Sequence, residues 1–241
     1  MNQQDNLQLA AQAAATLGLR LTVQQQQQFE QYLRLLLAWN EHINLTAIRE
    51  PADIVTRHFL DSLSCSLVMD NLNESDLIDV GTGAGFPGLP LKILFPSMRL
   101  TLVDSVTKKT SFLRQVVAEL GLTEVQIVTE RAENLGRLPE HRDGYDWAVA
   151  RAVAELRVLL EYLLPLCRLG GHVLAQKGES AQQEVKAATD ALRLLGGELK
   201  SLQPVQLPGR AQPHYLVVIA KTAATPERYP RRVGVPGKRP L

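Results

Sequence analysis

A chain of 241 residues, 45% of them apolar and 5% aromatic, can bury one sizeable core with a smaller appendage but not two full catalytic domains. Its two cysteines, Cys65 and Cys167, lie far apart without ligand or redox spacing, which excludes a disulfide framework, a zinc site and a thioredoxin-type motif and leaves two buried thiols. The net charge of +1 hides an asymmetry: from Pro226 onward Arg228, Arg231, Arg232, Lys238 and Arg239 face Glu227 alone, a tail of +4 on a body of −3. Such a tail suits a polyanionic partner, or is a solvated end. The polar start at Met1-Asn2 and the lack of any apolar run of about eighteen residues lead us to expect a cytoplasmic protein with no membrane partner.

In chain order, Leu7, Leu9, Ala10, Ala13, Ala14 and Leu17 repeat at helical spacing and Gly18 closes the pattern. Thr22 then caps a second helix whose stripe is Phe29, Leu33, Leu36 and Leu37, ending near Trp39-Asn40; the run Gln24 to Gln28 in its first turns reads as neutral filler. A third helix opens at Glu50-Pro51, where proline suits the first turn, and carries Ile54, Val55, Phe59, Leu60 and Leu63 to Met69. Residues 1–72 thus form a helical cap.

From Asp76 short apolar runs alternate with amphipathic helices, the signature of βαβ units and a parallel sheet. The predicted strands are Leu77-Val80, Leu100-Val103, Val125-Val128, Trp147-Ala150 and His172-Ala175. Phe112, Leu113, Val116, Val117 and Leu120 make one helix face closed by Gly121; Leu156, Leu159, Leu160, Leu163 and Leu164 make another closed by Gly170-Gly171. A helix over about 180–195 follows. Then Leu199-Leu207 and Tyr215-Ala220 face each other across Pro208-Gly209-Arg210-Ala211, a connection short enough for an antiparallel pair. Residues 73–224 are therefore a Rossmann-like domain and 225–241 a basic tail.

The segment Asp79-Val80-Gly81-Thr82-Gly83-Ala84-Gly85-Phe86-Pro87-Gly88 follows a strand and precedes a helix, where an open α/β sheet places its ligand. Read from Gly83 it also fits G-x-G-x-x-G with Asp104 about twenty residues on, a pattern of nicotinamide enzymes. Three features favour S-adenosylmethionine: the acidic residue in Asp79-x-Gly81-x-Gly83-x-Gly85, the antiparallel final pair, and the lack of a second mononucleotide-binding half. Asp104 is placed to accept from the ribose hydroxyls, or to cap the next helix. The loop with Ala132 and Glu133 lies on the same edge, suited to the adenine.

With these residues in view, the chain resembles the ribosomal RNA small subunit methyltransferase G family, also called glucose-inhibited division protein B. The resemblance rests on Asn44 to Ile48, Arg57 to Leu63, Asp79 to Pro90, Asp104-Ser105 with Lys108-Lys109, Asp146 to Ala152, Gln176-Lys177-Gly178, and Tyr229 to Arg232 with Pro240-Leu241. It implies a class I S-adenosylmethionine-dependent methyltransferase fold and methyl transfer to N7 of one guanine in a 16S ribosomal RNA loop near the decoding centre. It also implies cofactor contacts at Gly81, Phe86, Ala132-Glu133 and Arg151. The chain is expected to depart from the family in extra length at both ends and in the variable residue Ala84.

Among the remaining polar residues, Arg151 beyond the fourth strand suits the cofactor, the guanine, a phosphate or a surface ion pair. No Asp/Asn-Pro-Pro-aromatic motif stands there, which disfavours an exocyclic amine as target, and neither cysteine is set for covalent attack on a pyrimidine. Arg57, His58 and Asp61 share one helical turn and either aim at the crevice or join cap to sheet. They and Lys108, Lys109, Arg114, Lys177, Arg231, Arg232, Lys238 and Arg239 supply an RNA footprint, although each cation alone suits a solvated surface. No side chain is assigned as a catalytic base, no metal is expected, and the partner is 16S ribosomal RNA or the small subunit, bound by a monomer. A nicotinamide oxidoreductase and a non-catalytic ribosome-binding protein stay open as alternatives.

Overall fold

The computed structural model describes residues 3–241, with side chains from Leu9 onward; the polar Met1-Asn2 start and the Leu7 side chain lie outside the described residues. Helix α1 (Gln3–Ala15) turns at Gly18 (φ +74°), and Ala10 and Ala14 are buried. Helix α2 (Val23–Asn40) starts in a capping box between Thr22 and Gln25 and buries Phe29, Tyr32, Leu33 and Leu36. Two glutamines of the run are not filler: Gln25 donates to the carbonyls of Ile93 and Leu94 and Gln28 to Leu120. Beyond the run Gln31 donates to Glu119, so three amides satisfy last-turn carbonyls of other helices that would otherwise lack partners.

The expected third helix is interrupted. Helix α3 (Pro51–Ile54) widens into a π-helical stretch (Val55–Leu60), returns as α4 (Asp61–Leu63) and tightens into a 3₁₀ turn (Ser64–Leu67). π-Helical turns rearrange which side chains share a face. Here the widened stretch carries Arg57 and His58.

The sheet comprises β1 (Asp76–Val80), β2 (Arg99–Asp104), β3 (Val125–Thr129), β4 (Tyr145–Arg151), β5 (Cys167–Lys177), β6 (Gly197–Val205) and β7 (His214–Lys221), in the order β3-β2-β1-β4-β5-β7-β6. The first five are parallel, and β7 runs antiparallel to β5 and β6. Because the order reverses between β1 and β4, the crevice lies at their carboxyl ends. Between strands run α5 (Gly88–Leu94), α6 (Thr107–Glu119), α7 (Ala132–Leu135), α8 (Leu156–Leu163), α9 (Ala181–Ala187) and α10 (Thr189–Leu195); α11 (Val235–Lys238) lies in the tail.

Three details correct the sequence reading. Gly170 and Gly171 do not stop α8 but lie inside β5, beside the irregularity in its pairing with β4. A Cβ on Gly171 would stand 2.9–3.0 Å from the carbonyl oxygens of Asp146, Arg168 and Tyr145, so close backbone approach selects glycine there. The helix over 180–195 breaks at Ala188, and the loop around Ala132 is the short helix α7.

The expected cap shares one core with the sheet: Phe29, Tyr32, Phe59, Leu89, Phe112 and Leu102 belong to a single buried cluster. Tyr32 lies 5.2 Å from Phe59 and 5.5 Å from Phe86 between ring centroids, contacts worth about 0.5–1.5 kcal/mol each beyond area burial. On the other face α8, α10 and β5 bury Leu159, Leu163, Leu195 and Val173 together with Tyr229 of the tail. The tail is thus a docked strap. Arg142 donates to the carbonyls of Tyr229 and Thr225, Arg137 to Pro230, and Arg231 forks onto the fully buried Glu161 at 2.6–3.1 Å. Both cysteines are free and buried, and burial pushes the Cys167 thiol up to about 12. Among the described residues no helix is long and apolar enough to cross a membrane.

Candidate active site

The site grows from β1. Asp79, fully buried, accepts at Oδ2 from Thr82 Oγ1 (2.7 Å) and from the Gly88 amide (2.8 Å), so one carboxylate ties together the two ends of the glycine turn. Burial pushes its pKa up to about 6, against the pull of those two bonds. The turn has Gly81 at φ +71°, Gly83 at +62° and Gly85 at +99°, a region costly for other L-residues. Gly81 has a second constraint, since a Cβ there would lie 2.5 Å from Val153 Cγ2. From the cap, the Tyr32 hydroxyl donates to the Ala84 carbonyl; burial first of all raises its pKa well above the ordinary value and keeps it a donor.

Asp104 ends β2 opposite this turn. Its Oδ2 accepts from the Gly83 amide at 3.0 Å and its Oδ1 from the Val106 amide at 2.9 Å, while Lys109 Nζ stands 3.6 Å away. It therefore braces the glycine turn and closes a tight turn ahead of α6, whose N-cap is Val106 and has no side-chain cap bond. Each carboxylate oxygen has lone-pair capacity for a further donor. Gly81, Asp104, Ala132, Glu133, Val153 and Tyr162 all line one cleft of about 450 Å³, within the usual size of a ligand site. Glu133 is buried and accepts from the Gly234 amide at 2.9 Å, which draws the tail to the rim; Gly237 is part of the lining. Burial, and then the Glu133 charge, push the Tyr162 phenol up to about 12.

A second cleft of about 370 Å³ adjoins the first and shares Ala152 with it. Ala152 has φ +56°, an uncommon conformation for a non-glycine residue. Next to it Arg151 donates to Asp61 Oδ2 at 2.8 Å and to His58 Nδ1 at 3.1 Å, with its guanidinium 4.9 Å over the Phe86 ring. His58 stacks on Phe86 at 4.7 Å and meets Thr46 Oγ1 through Nε2 at 2.7 Å. Arginine can only donate, so His58 Nδ1 accepts and the ring proton sits on Nε2. Burial, then the Arg151 charge, lower the His58 pKa to about 4. Of the two readings for Arg57, His58 and Asp61, both hold in part: Asp61 and His58 join cap to sheet through Arg151, and all three line the second cleft.

Of the expected cofactor residues, Gly81, Asp104, Ala132 and Glu133 line the first cleft; Gly83 reaches it only through its amide's bond to Asp104, Gly85 lies against Leu89 and Tyr32 instead, and Arg151 lines the second. Phe86 differs: its ring is 4% exposed and packed against the core, so its side chain supports Arg151 and His58. The expected RNA cations divide. Arg57, Lys108, Arg232, Lys238 and Arg239 are exposed. Three others are held by carboxylates: Lys177, in the lining of the second cleft, by Glu184 at 2.7 Å, Arg231 by Glu161, and Lys109, in the lining of the first cleft, by Asp104. Sequence reasoning missed Val153, Tyr162, Arg210 and His214, which no motif marks; Gln176 was visible only as part of Gln176-Lys177-Gly178. Among the described residues no group of His, Cys, Asp and Glu is arranged for a metal.

A family model described as rRNA small subunit methyltransferase G matches residues 25–212. The Ribosomal RNA small subunit methyltransferase G of Roseiflexus castenholzii is 54% identical over 228 residues, 95% of this chain and 97% of its own length. That of Desulforamulus reducens is 45% identical over 230 residues, 95% and 96% respectively. Such coverage corrects the expectation of extra length at both ends. Among solved structures, a ribosomal protein L11 methylase from Lactobacillus delbrueckii subsp. bulgaricus gives a TM-score of 0.52 at 16% identity, covering 69% of this chain and 79% of that one. A Burkholderia thailandensis 1,6-didemethyltoxoflavin-N1-methyltransferase, solved with S-adenosylhomocysteine, gives 0.52 at 17% identity, covering 68% and 79%. These two show the fold, that of class I methyltransferases. By the extent of the family match and the identity to its relatives, the chain belongs to the rRNA small subunit methyltransferase G family.

Proposed function

We propose that the chain transfers a methyl group from S-adenosylmethionine to N7 of a guanine in 16S ribosomal RNA. The observation that carries this reading is the pair of clefts meeting at Ala152, beyond the β1/β4 switch point. In this reading the first cleft takes the cofactor, with Gly81 of the glycine turn toward the amino-acid moiety, Asp104 toward the ribose hydroxyls and Ala132-Glu133 toward the adenine, all four of which line it. When bound, S-adenosylmethionine supplies a methyl group on a sulfonium, already activated for transfer. The protein's part is alignment, which in favourable intramolecular cases contributes up to about 7–11 kcal/mol.

Guanine N7 carries an in-plane lone pair and no proton, so transfer needs no side-chain base. The surroundings agree. His58 has its Nδ1 lone pair engaged by Arg151, and β4 ends in a guanidinium where amine-methylating enzymes carry Asp/Asn-Pro-Pro-aromatic. Arg57, Lys108, Arg232, Lys238 and Arg239 then contact RNA phosphates, and the enzyme acts as a cytoplasmic monomer. The oxidoreductase alternative lacks a second mononucleotide-binding half: beyond β5 come α9, α10 and the β6–β7 hairpin. The non-catalytic alternative leaves the two-cleft arrangement unused.

The test is incubation with methyl-labelled S-adenosylmethionine and unmethylated 16S rRNA, free and as small subunits, followed by mapping through chemical cleavage at 7-methylguanine. One labelled guanine N7 is expected. Label on an exocyclic nitrogen, or no label on either substrate, would overturn the reading.

A further inference from the structure

Among the described residues, four buried side-chain atoms lack a hydrogen-bond partner: Asp79 Oδ1, Gln176 Oε1, Arg210 Nε and His214 Nδ1. Native proteins leave few such groups, because each costs the desolvation of an unpaired dipole. Three of the four belong to residues lining the second cleft. They come from distant parts of the chain, β5, the β6–β7 loop and β7, so local geometry does not explain the cluster.

The same network fixes what each atom offers. Gln176 donates through Nε2 to the Asp61 carbonyl at 2.8 Å, which orients its amide and leaves Oε1 a free acceptor. Arg210 donates through Nη2 to Asp61 Oδ1 at 3.1 Å, leaving Nε–H a free donor. Ser64 gives its hydroxyl proton to the Asp61 carbonyl at 2.6 Å, so it accepts from His214 Nε2–H at 3.1 Å. In the neutral ring Nδ1 is then a bare acceptor. It faces Asp61 Oδ1 across 3.5 Å, a gap that two acceptors do not bridge. Burial, foremost among several influences, lowers the His214 pKa and favours that neutral ring.

The residues lining the cleft therefore hold one unused donor and two unused acceptors, each buried just beneath its wall. We propose that these atoms read the acceptor base as guanine: Arg210 Nε donates to O6, while Gln176 Oε1 and His214 Nδ1 accept from N1–H and the exocyclic amine. The inference rests on the methyltransferase reading and adds how the base is chosen. A guanine held by this edge keeps N7, on the other side of O6, free for the end of the cleft at Arg151 and Ala152. Adenine is rejected on the same atoms, since its amine meets a donor and its bare N1 meets an acceptor. Leaving buried polar groups unpaired in this way is the strongest basis for discriminating between bases of similar size.

The test varies substrate and protein together. The substrate is 16S rRNA or the small subunit, whichever the wild type methylates, with the methylated guanine replaced by inosine, which lacks only the amine, or by adenine. Under single-turnover conditions the wild type should lose about 5- to 100-fold in kcat/KM on inosine and on the order of 10³-fold or more on adenine. Gln176→Ala and His214→Ala should each lose about 5- to 100-fold on guanine with cofactor affinity unchanged by calorimetry. In whichever of them removes the amine's partner, the inosine penalty should shrink to less than about twofold, a coupling that a merely structural role would not produce. Equal rates of the wild type on guanine and inosine, or an inosine penalty that persists in both variants, would overturn the proposal while leaving N7 methylation standing. Should either variant fail to fold, the wild-type comparison on inosine and adenine still decides. Absence of transfer by the wild type to unmodified RNA would overturn this inference together with the function beneath it.

Discussion

Arg151 donates to His58 Nδ1 across 3.1 Å, and this bond removes the lone pair a general base would use. Single-turnover methylation at saturating RNA and cofactor should therefore be nearly flat between about pH 6 and 8, although an unperturbed histidine titrates there. His58→Ala should lower the rate by loosening Arg151 without introducing or abolishing a pH slope. A wild-type rate climbing tenfold per pH unit, lost together with about 10²–10⁴-fold in rate in the variant, would show that the histidine is a base.

Asp104 lines the first cleft, the one proposed for the cofactor, with both oxygens already bonded to loop amides. Losing charge-assisted bonds worth about 1.5–3 kcal/mol should weaken S-adenosylmethionine binding by roughly 10- to 150-fold in Asp104→Ala. Calorimetry on the folded variant checks this, and unchanged affinity would remove Asp104 from the ribose.

Asp79 gives stability a particular pH dependence. Its folded pKa, about 6, lies above the ordinary 3.8, so the folded state holds the proton more tightly than the unfolded one. The stability this contributes is fully present below about pH 3.8 and lost as pH rises through 6. Asp79→Asn has no such proton. The stability of wild type relative to Asp79→Asn should fall by about 2 kcal/mol from pH 4 to pH 7, as read by denaturant unfolding. A difference that is constant across that range would show that Asp79 is not buried as a strained charge.

Two arginines adjacent in the tail should behave differently. Arg231 pairs with Glu161, whose side chain is wholly buried. Arg231→Ala leaves that carboxylate unpaired and should cost about 3 kcal/mol, with earlier proteolysis of the tail and weaker cofactor binding through the loss of Gly234 and Gly237 at the cleft. Arg232→Ala should leave stability alone and reduce the slope of log RNA affinity against log salt by about 0.7. Identical effects of the two substitutions in unfolding and salt titrations would contradict this division.

Much of the fold follows from local pattern. Period-3.6 stripes marked α2, α6 and α8, five apolar runs marked the parallel strands, and Pro208-Gly209 marked the reversal between β6 and β7, because spacing and turn chemistry act over a few residues. The glycine turn was legible for the same reason: Gly81, Gly83 and Gly85 are required by backbone angles, whatever the rest of the chain does.

Tertiary structure decided the rest. The π-helical stretch at Arg57-His58 has no local signature, and the glutamines of α2 acquired partners only when helix ends from elsewhere arrived beside them. Arg231 looked like its neighbour Arg232 until Glu161 was placed under it. The second cleft is the clearest case: Asp61 meets Gln176 from 115 positions away, with Arg210 and His214 arriving from the hairpin. A polar side chain's role depends on which partners share its burial, and a sequence lists side chains without saying which of them will leave water together.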